Sequence, residues 1–178
     1  MSDNTLLTEN YFQLFKLPMQ FELDITKLRT AYRELQRQFH PDRFAHASDQ
    51  ERRIAMQKTT QINEAFQTLK QPLKRAQYML NLKGMQPDPQ VTPPLEPEFL
   101  MTQMELREAL EGISQQADPS MVLMGFNDTV SQHIQQFLQQ FSTLFQQEKL
   151  AQAQTCVNQL HFFYKLQEEA EKLEETLL

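Results

Sequence analysis

Proline is the residue that the interior of a helix cannot hold, because it lacks the amide hydrogen and its ring clashes with the preceding turn. Its placement therefore divides this chain before any other feature is weighed. Five of the nine prolines fall in residues 84–97, GMQPDPQVTPPLEP, with one glycine and little periodicity. That is linker chemistry, and it separates a first module, residues 1–83, from a second, residues 98–178. The other four, Pro18, Pro41, Pro72 and Pro119, stand singly between stretches rich in Leu, Gln, Glu and Ala. With 3 Gly and no Trp in 178 residues, the expected fold class is all-α.

Apolar spacing fills in the elements. In the first module YFQLFKL (residues 11–17) is a short apolar segment stopped by Pro18. Asp24 or Thr26 can cap a helix running to Phe39, with Leu28, Ala31, Tyr32, Leu35 and Phe39 on one face. A second long helix from about Ser48 to Leu69 repeats the pattern with Ile54, Ile62, Ala65, Phe66 and Leu69, and Pro72 opens a last short one. Two antiparallel helices around a turn containing His40-Pro41-Asp42 is the simplest arrangement. The second module reads as an antiparallel three-helix bundle. The helix of PEFLMTQMELREALEGI begins after Pro97, Asp118-Pro119 supplies an N-cap and first-turn proline for the next, and the third runs from about Glu148 to the end. Its seam is expected at Leu150, Ala153, Val157, Leu160 and Tyr164.

Composition narrows the function. No apolar run approaches the roughly 20 residues that span a bilayer, and MSDNTLLTEN has acids where a signal peptide carries basic residues, so the protein is expected to be cytoplasmic. The lone cysteine, Cys156, excludes an internal disulfide and any cysteine-rich zinc or cluster site; its spacing from Ala153 and Leu160 suits a helix core. The net charge of −6 conceals an asymmetry: residues 1–83 hold 13 Lys+Arg against 9 Asp+Glu, and residues 84–178 hold 4 against 14. Halves of opposite sign suit two modules that face different partners.

The tripeptide His40-Pro41-Asp42 directly follows a basic amphipathic run. Pro41 disfavours helix at the residue before it, so the helix should end near His40 and leave the tripeptide at a loop tip. Such a tip could be a catalytic dyad, a metal half-site or a docking knob. Catalysis would need a nucleophile, base and orienting group in a pocket, and no Gly-rich phosphate loop or G-x-S-x-G elbow accompanies the pair. The four histidines, His40, His46, His133 and His161, have no zinc-type spacing. Arg29, Arg33 and Arg37 recur every four residues beside the apolar face. A solvated surface is the usual meaning of such a run. Nucleic-acid binding is disfavoured in a chain with no broad basic surface, and a docking role remains.

Here the sequence becomes specific. KLRTAYRELQRQFHPDRF followed by QINEAFQTLKQPLKRAQYML resembles a J-domain, the module by which co-chaperones stimulate ATP hydrolysis in heat-shock chaperones of the seventy-kilodalton class. The likeness spans about residues 11–82, and the basic helix, the HPD turn, INEAF and the closing P..RA.Y occur in order. It departs at Arg43, where many J-domains carry Lys, and at Lys16, where a small residue is common. The resemblance implies that His40, Pro41 and Asp42 act as the trigger against the chaperone's ATPase domain, with Arg29, Arg33 and Arg37 guiding the approach.

On a helical wheel of residues 99–113, Phe99, Leu106, Leu110 and Ile113 cluster as a core seam. Leu100, Met101 and Met104 land about 100°, 200° and 140° from Phe99, among Glu105, Arg107, Glu108 and Glu111. An apolar face rimmed by charge is either a partner surface or a second face buried within the molecule. A J-domain, a linker, FLM..MELRE.L and a helical end AEKLEETL together resemble the HscB family, co-chaperones of bacterial iron–sulfur cluster assembly. That resemblance implies an IscU-type iron–sulfur scaffold held at Leu100, Met101, Met104, Glu105, Arg107 and Glu108, with Phe162 from the last helix. It further implies delivery of the scaffold to an HscA-type chaperone and no cofactor or resident metal. The family pattern commonly has Leu where Met104 stands.

Overall fold

The structure, a computed structural model, describes residues 9–85 and 96–177. Most of the expected linker and the N-terminal MSDNTLLT lie outside the described residues. Among those described, every regular element is a helix, and no helix is long and apolar enough to cross a membrane. The chain divides into two compact units, residues 1–79 and 80–178.

The first unit contains α1 (Tyr11–Leu14), α2 (Ile25–Gln38), a single 3-10 turn at Pro41–Phe44, α3 (Asp49–Lys70) and most of α4 (Pro72–Leu82). Each early helix begins where a short polar side chain can satisfy orphan amides. Asp24 accepts from the Lys27 amide, and Ser48 and Glu51 form a reciprocal capping box, each cap contributing about 1 kcal/mol. Tyr32 of α2 meets Asn63 and Phe66 of α3, whereas Phe39 meets Lys58 and Thr59. Partners that descend as the number on α2 ascends make the pair antiparallel. Leu28, Phe39, Ile62, Ala65, Phe66 and Leu69 are buried as the spacing predicts. Ala31, Tyr32, Leu35 and Ile54 are only half-buried. Tyr32 stacks on Phe66 with centroids 4.0 Å apart while its hydroxyl donates to Asn63 at 2.9 Å, so its polar end stays at the surface. The N-terminal segment closes on α4 by stacking Tyr11 on Tyr78 at 4.3 Å, the Tyr11 amide donating to the Tyr78 hydroxyl at 2.9 Å.

The second unit contains α5 (Pro97–Gly112), a 3-10 turn at Ile113–Gln115, α6 (Pro119–Gln146) and α7 (Leu150–Leu177). The Asp118 carboxylate accepts from the Met121 amide at 3.0 Å and Pro119 takes the first position of α6, as the sequence implies. The long pair α6–α7 forms the body. Phe126, Val130, Ile134 and Phe141 of α6 are buried with Ala153, Val157, Leu160 and Leu166 of α7, and α5 adds Phe99 and Leu106. The seam of α7 departs from the expected heptad, since Leu150 and Tyr164 are half-buried while Cys156, Phe163, Leu166 and Ala170 are buried. The cause is that α7 packs against two helices, which widens its stripe. Phe163 lies edge-on to Phe99 of α5 at 5.8 Å and stacks with His133 of α6 at 4.9 Å. Cys156 is 2% exposed, and burial pushes its thiol up to about 11.

Helices α1, α4 and α6 end in the same way: the amide of the residue in the left-handed conformation donates to the carbonyl three residues back, and the amide of the next residue donates to the carbonyl five back. These are Lys16 to Gln13 with Leu17 to Phe12, Gly84 to Asn81 with Met85 to Leu80, and Glu148 to Phe145 with Lys149 to Leu144. This is the Schellman closure, for which glycine is the natural residue. Gly84 (φ 80°) fits it, but Lys16 (φ 53°) and Glu148 (φ 57°) crowd their Cβ atoms. The small residue common in J-domains at the Lys16 position thus has a backbone reason. Lys16→Gly is expected to raise stability by about 1 kcal/mol, read as a rise of a few degrees in thermal unfolding. A lower midpoint would mean that the lysine side chain makes a contact worth more than the strain.

Candidate functional site

The HPD turn is built on Phe39. As C-cap of α2 its amide donates to the Leu35 carbonyl, and its own carbonyl would be an orphan acceptor at a helix end. Thr59 of α3 supplies the donor, Oγ1 to the Phe39 oxygen at 3.1 Å, and the Lys58 ammonium sits 4.8 Å above the Phe39 ring. Phe39 is 7% exposed and Lys58 2%; burial gives such a cation–π contact more strength than at a wet surface. The next residue leaves the core at once. His40 has extended backbone (φ −61°, ψ 133°), which Pro41 demands, and Pro41 opens the 3-10 turn.

His40 Nδ1 accepts from the Asp42 amide at 3.3 Å. A nitrogen that accepts cannot also carry the proton, so the arrangement selects the tautomer with hydrogen on Nε2, which points the donor outward. The Asp42 carboxylate lies 3.6 Å from the same Nδ1 and is 92% exposed; the imidazole is 58% exposed. A local amide bond thus fixes the imidazole, while the carboxylate is held only by its own backbone. Arg43 reaches back to the Arg37 carbonyl at 3.5 Å, so the departure from Lys at this position still ties the turn to the end of α2.

Arg29, Arg33 and Arg37 are all exposed on α2, about 6 Å apart along the axis. Among the described residues none of the three is within ion-pair distance of a carboxylate. This arrangement can meet an acidic surface with little internal competition, through long side chains that remain solvated until contact. Among the described residues no group of three or more His, Cys, Asp or Glu side chains could hold a metal ion.

The second surface is on α5. Leu100, Met101 and Met104 are exposed, the two methionines at 61% and 72%, so this face is not covered by the neighbouring helices of its own unit. Glu105, Arg107 and Glu108 are exposed around it. Phe162 is half-buried rather than free, edge-on to Phe99 at 5.9 Å and to Phe163 at 5.4 Å. The Arg107 guanidinium lies 5.6 Å from its ring and 3.9 Å from the Glu169 carboxylate. Arg107 therefore ties α5 to α7 and joins Phe162 to the methionine face. Leu100, Met101 and Met104 are preorganised by the helix but individually supple, which suits Met at an adaptable contact.

Sequence reasoning missed the supports. Lys58 and Thr59 hold the base of the HPD turn, and Arg75, 6% exposed, donates to the Leu69 carbonyl at 2.6 Å with its guanidinium 4.9 Å from the Phe21 ring. The signal for Lys58 was present: it occupies the apolar phase of α3 between Ala55 and Ile62. Glu169 had no such signal.

Residues 10–78 match the DnaJ domain model and residues 95–171 match the model described as the HSCB C-terminal oligomerisation domain. The chain is 48% identical over 167 residues to the co-chaperone protein HscB homolog of Photobacterium profundum, with 94% of this chain and 98% of that one covered. It is 44% identical over 169 residues to the homolog from Vibrio cholerae, covering 95% and 99%. Among solved structures, chaperone HscB from Vibrio cholerae superposes with a TM-score of 0.88 at 44% identity over 96% of this chain and 100% of that one. Human co-chaperone protein HscB gives 0.86 at 28% identity over 96% and 84%.

The clamp on Phe39 has a measurable role. Thr59→Val removes the hydroxyl at nearly constant volume, and loss of a hydrogen bond worth about 1 kcal/mol should speed amide exchange of Arg43, whose N–H bonds the His40 carbonyl, by about fivefold. Unchanged exchange would show that the turn holds its shape without α3.

Proposed function

The chain belongs to the HscB family of J-domain co-chaperones, and from that premise we propose that it binds an IscU-type iron–sulfur scaffold, delivers it to an HscA-type chaperone and stimulates that chaperone's ATPase. It catalyses no reaction itself in this reading. The proposed organisation is a J-domain over residues 1–83, a linker over 84–97 and a scaffold-binding bundle over 98–178, working in the cytoplasm.

The observation that carries the proposal is that both implied surfaces stand ready in the folded chain. His40 and Asp42 project from a turn anchored at Phe39, and Leu100, Met101 and Met104 are exposed on a helix otherwise packed into its unit. The proposed trigger is His40, Pro41 and Asp42, guided by Arg29, Arg33 and Arg37. The proposed scaffold contact is Leu100, Met101, Met104, Glu105, Arg107 and Glu108 with Phe162, where Phe162 acts mainly by seating Arg107.

Stimulation without chemistry is a coupling of equilibria. The chaperone's hydrolysis-competent state must bind the HPD turn more tightly than its resting state does, because equal affinity for both shifts nothing. The exposed arginines should chiefly set the association rate and its salt dependence. The bundle contributes differently. Carrying scaffold and trigger on one chain raises the concentration of the scaffold beside the chaperone, so delivery needs no contact beyond the two surfaces.

Two measurements test the two halves. Steady-state ATP hydrolysis by an HscA-type chaperone should rise with this protein and rise further with scaffold, and His40→Gln should return it to the unstimulated rate; a variant that stimulates as well as the parent would reduce the HPD turn to a structural bend. Met101→Ala with Met104→Ala, which removes two side chains each worth about 1–1.5 kcal/mol on burial, should weaken scaffold binding on the order of a hundredfold. Stimulation in the absence of scaffold should persist, and equal loss of both activities would sink the division of labour.

A further inference from the structure

Met101 and Met104 are both well exposed on α5. Three residues apart, they stand about 60° from each other around the helix and share one face. Their neighbours on that surface, Leu100, Glu105, Arg107 and Glu108, carry no sulfur. Leucine would match methionine in helix preference and nearly in volume, so neither the backbone nor the space available singles out methionine here. What the thioether adds is flexibility and a sulfur lone pair that two-electron oxidants attack.

The distribution of sulfur in the fold is the second observation. The group that usually meets an oxidant first is an accessible thiolate, and this chain offers none: Cys156 is its only cysteine and is buried. Met79 is buried as well. An oxidant reaching the folded chain therefore meets surface thioethers. Met19, Met56, Met121 and Met124 are exposed too, but none of them belongs to either proposed surface. Of the exposed methionines, only Met101 and Met104 lie where oxidation would alter a proposed contact.

We propose that Met101 and Met104 form a modification site at which a peroxide, by converting both thioethers to sulfoxides, releases the scaffold. This rests on the scaffold reading of that face. In each step the sulfur lone pair attacks one peroxide oxygen, the O–O bond breaks and an S–O bond forms. The other oxygen leaves with the proton of the first, as water when the oxidant is hydrogen peroxide. The sulfur loses two electrons and the peroxide gains them. An apolar, supple side chain becomes a polar one whose oxygen is a strong acceptor. Closing the contact would bury that acceptor, beside the carboxylates of Glu105 and Glu108, without a donor to replace water. The proposed trigger residues carry no sulfur, so stimulation of the chaperone without scaffold is left intact. Sulfoxide reductases return the thioether, which makes the release reversible.

The test treats the full chain with hydrogen peroxide until peptide mass spectrometry finds sulfoxide at both positions, removes the oxidant, and measures scaffold affinity by calorimetry before and after. The quantity read is the ratio of the two affinities for each chain. For the parent the expected loss is on the order of a hundredfold, reversed by a pair of sulfoxide reductases, one for each epimer. Met101→Leu with Met104→Leu should bring the ratio close to one, although Met56, Met121 and Met124 still oxidise. A chain with Met56→Leu, Met121→Leu and Met124→Leu should keep the full loss. Unaltered affinity of the doubly oxidised parent overturns the proposal, as does a leucine pair that loses as much as the parent. A parallel loss of scaffold-independent ATPase stimulation would mean general damage and overturns it too. Failure of the untreated chain to bind scaffold would instead strike the scaffold reading itself, and this inference with it.

Discussion

The contact on which the first unit's outward chemistry depends is the seat of Phe39. One residue closes α2, fills the gap against α3, and hands its carbonyl to Thr59 while its ring lies beneath Lys58. The next residue is already in solvent. A trigger must be exposed to be read and fixed to be read repeatedly, and a loop tip ordinarily has only the first property. Here the transition from core to surface occurs across a single peptide bond, so little conformational freedom accumulates before His40. The proline that follows removes more of it by fixing its own φ and restricting the residue before it.

The second unit solves the opposite problem. Its exposed methionines are flexible side chains, suited to the adaptable contact proposed for them, and they stand on a helix whose other side is locked by Phe99 and Leu106. Arg107 is the intermediary, since it touches both the ring of Phe162 and the carboxylate of Glu169. Removal of its charge would therefore disturb the placement of α5 on α7 as well as any contact across the surface. A loss of scaffold binding on mutation of Arg107 would not by itself identify a direct contact, whereas Met101 and Met104 have no such second duty in the structure.

Much of this was legible in the residues because much of it is local. The cap at Asp118, the break at Pro41 and the start at Pro72 are decided by a few neighbouring side chains and appear where the sequence places them, while of the two candidate caps for α2 it is Asp24 and not Thr26 that serves. The seam of α7 was read as a heptad and proved broader, because burial of Phe163 depends on α5 as well as α6 and a single helix does not declare how many neighbours it has. The methionine face was undecided for the same reason. A wheel gives the direction of Met104 but not what stands there. Lys16 is a third case: its left-handed backbone follows from the closure of α1, which no side-chain pattern encodes.

The buried thiol has a chemical consequence for a protein proposed to escort an iron–sulfur scaffold. Clusters are held by cysteine thiolates, and a thiolate on the escort would be a competing soft ligand and a partner for disulfide exchange. The chain's lone sulfhydryl is kept inside the bundle at 2% exposure, with its ionisation pushed up to about 11. The methionine thioethers on its surface cannot ionise. In that proposed role the chain would bring no exposed thiol to the scaffold's cluster.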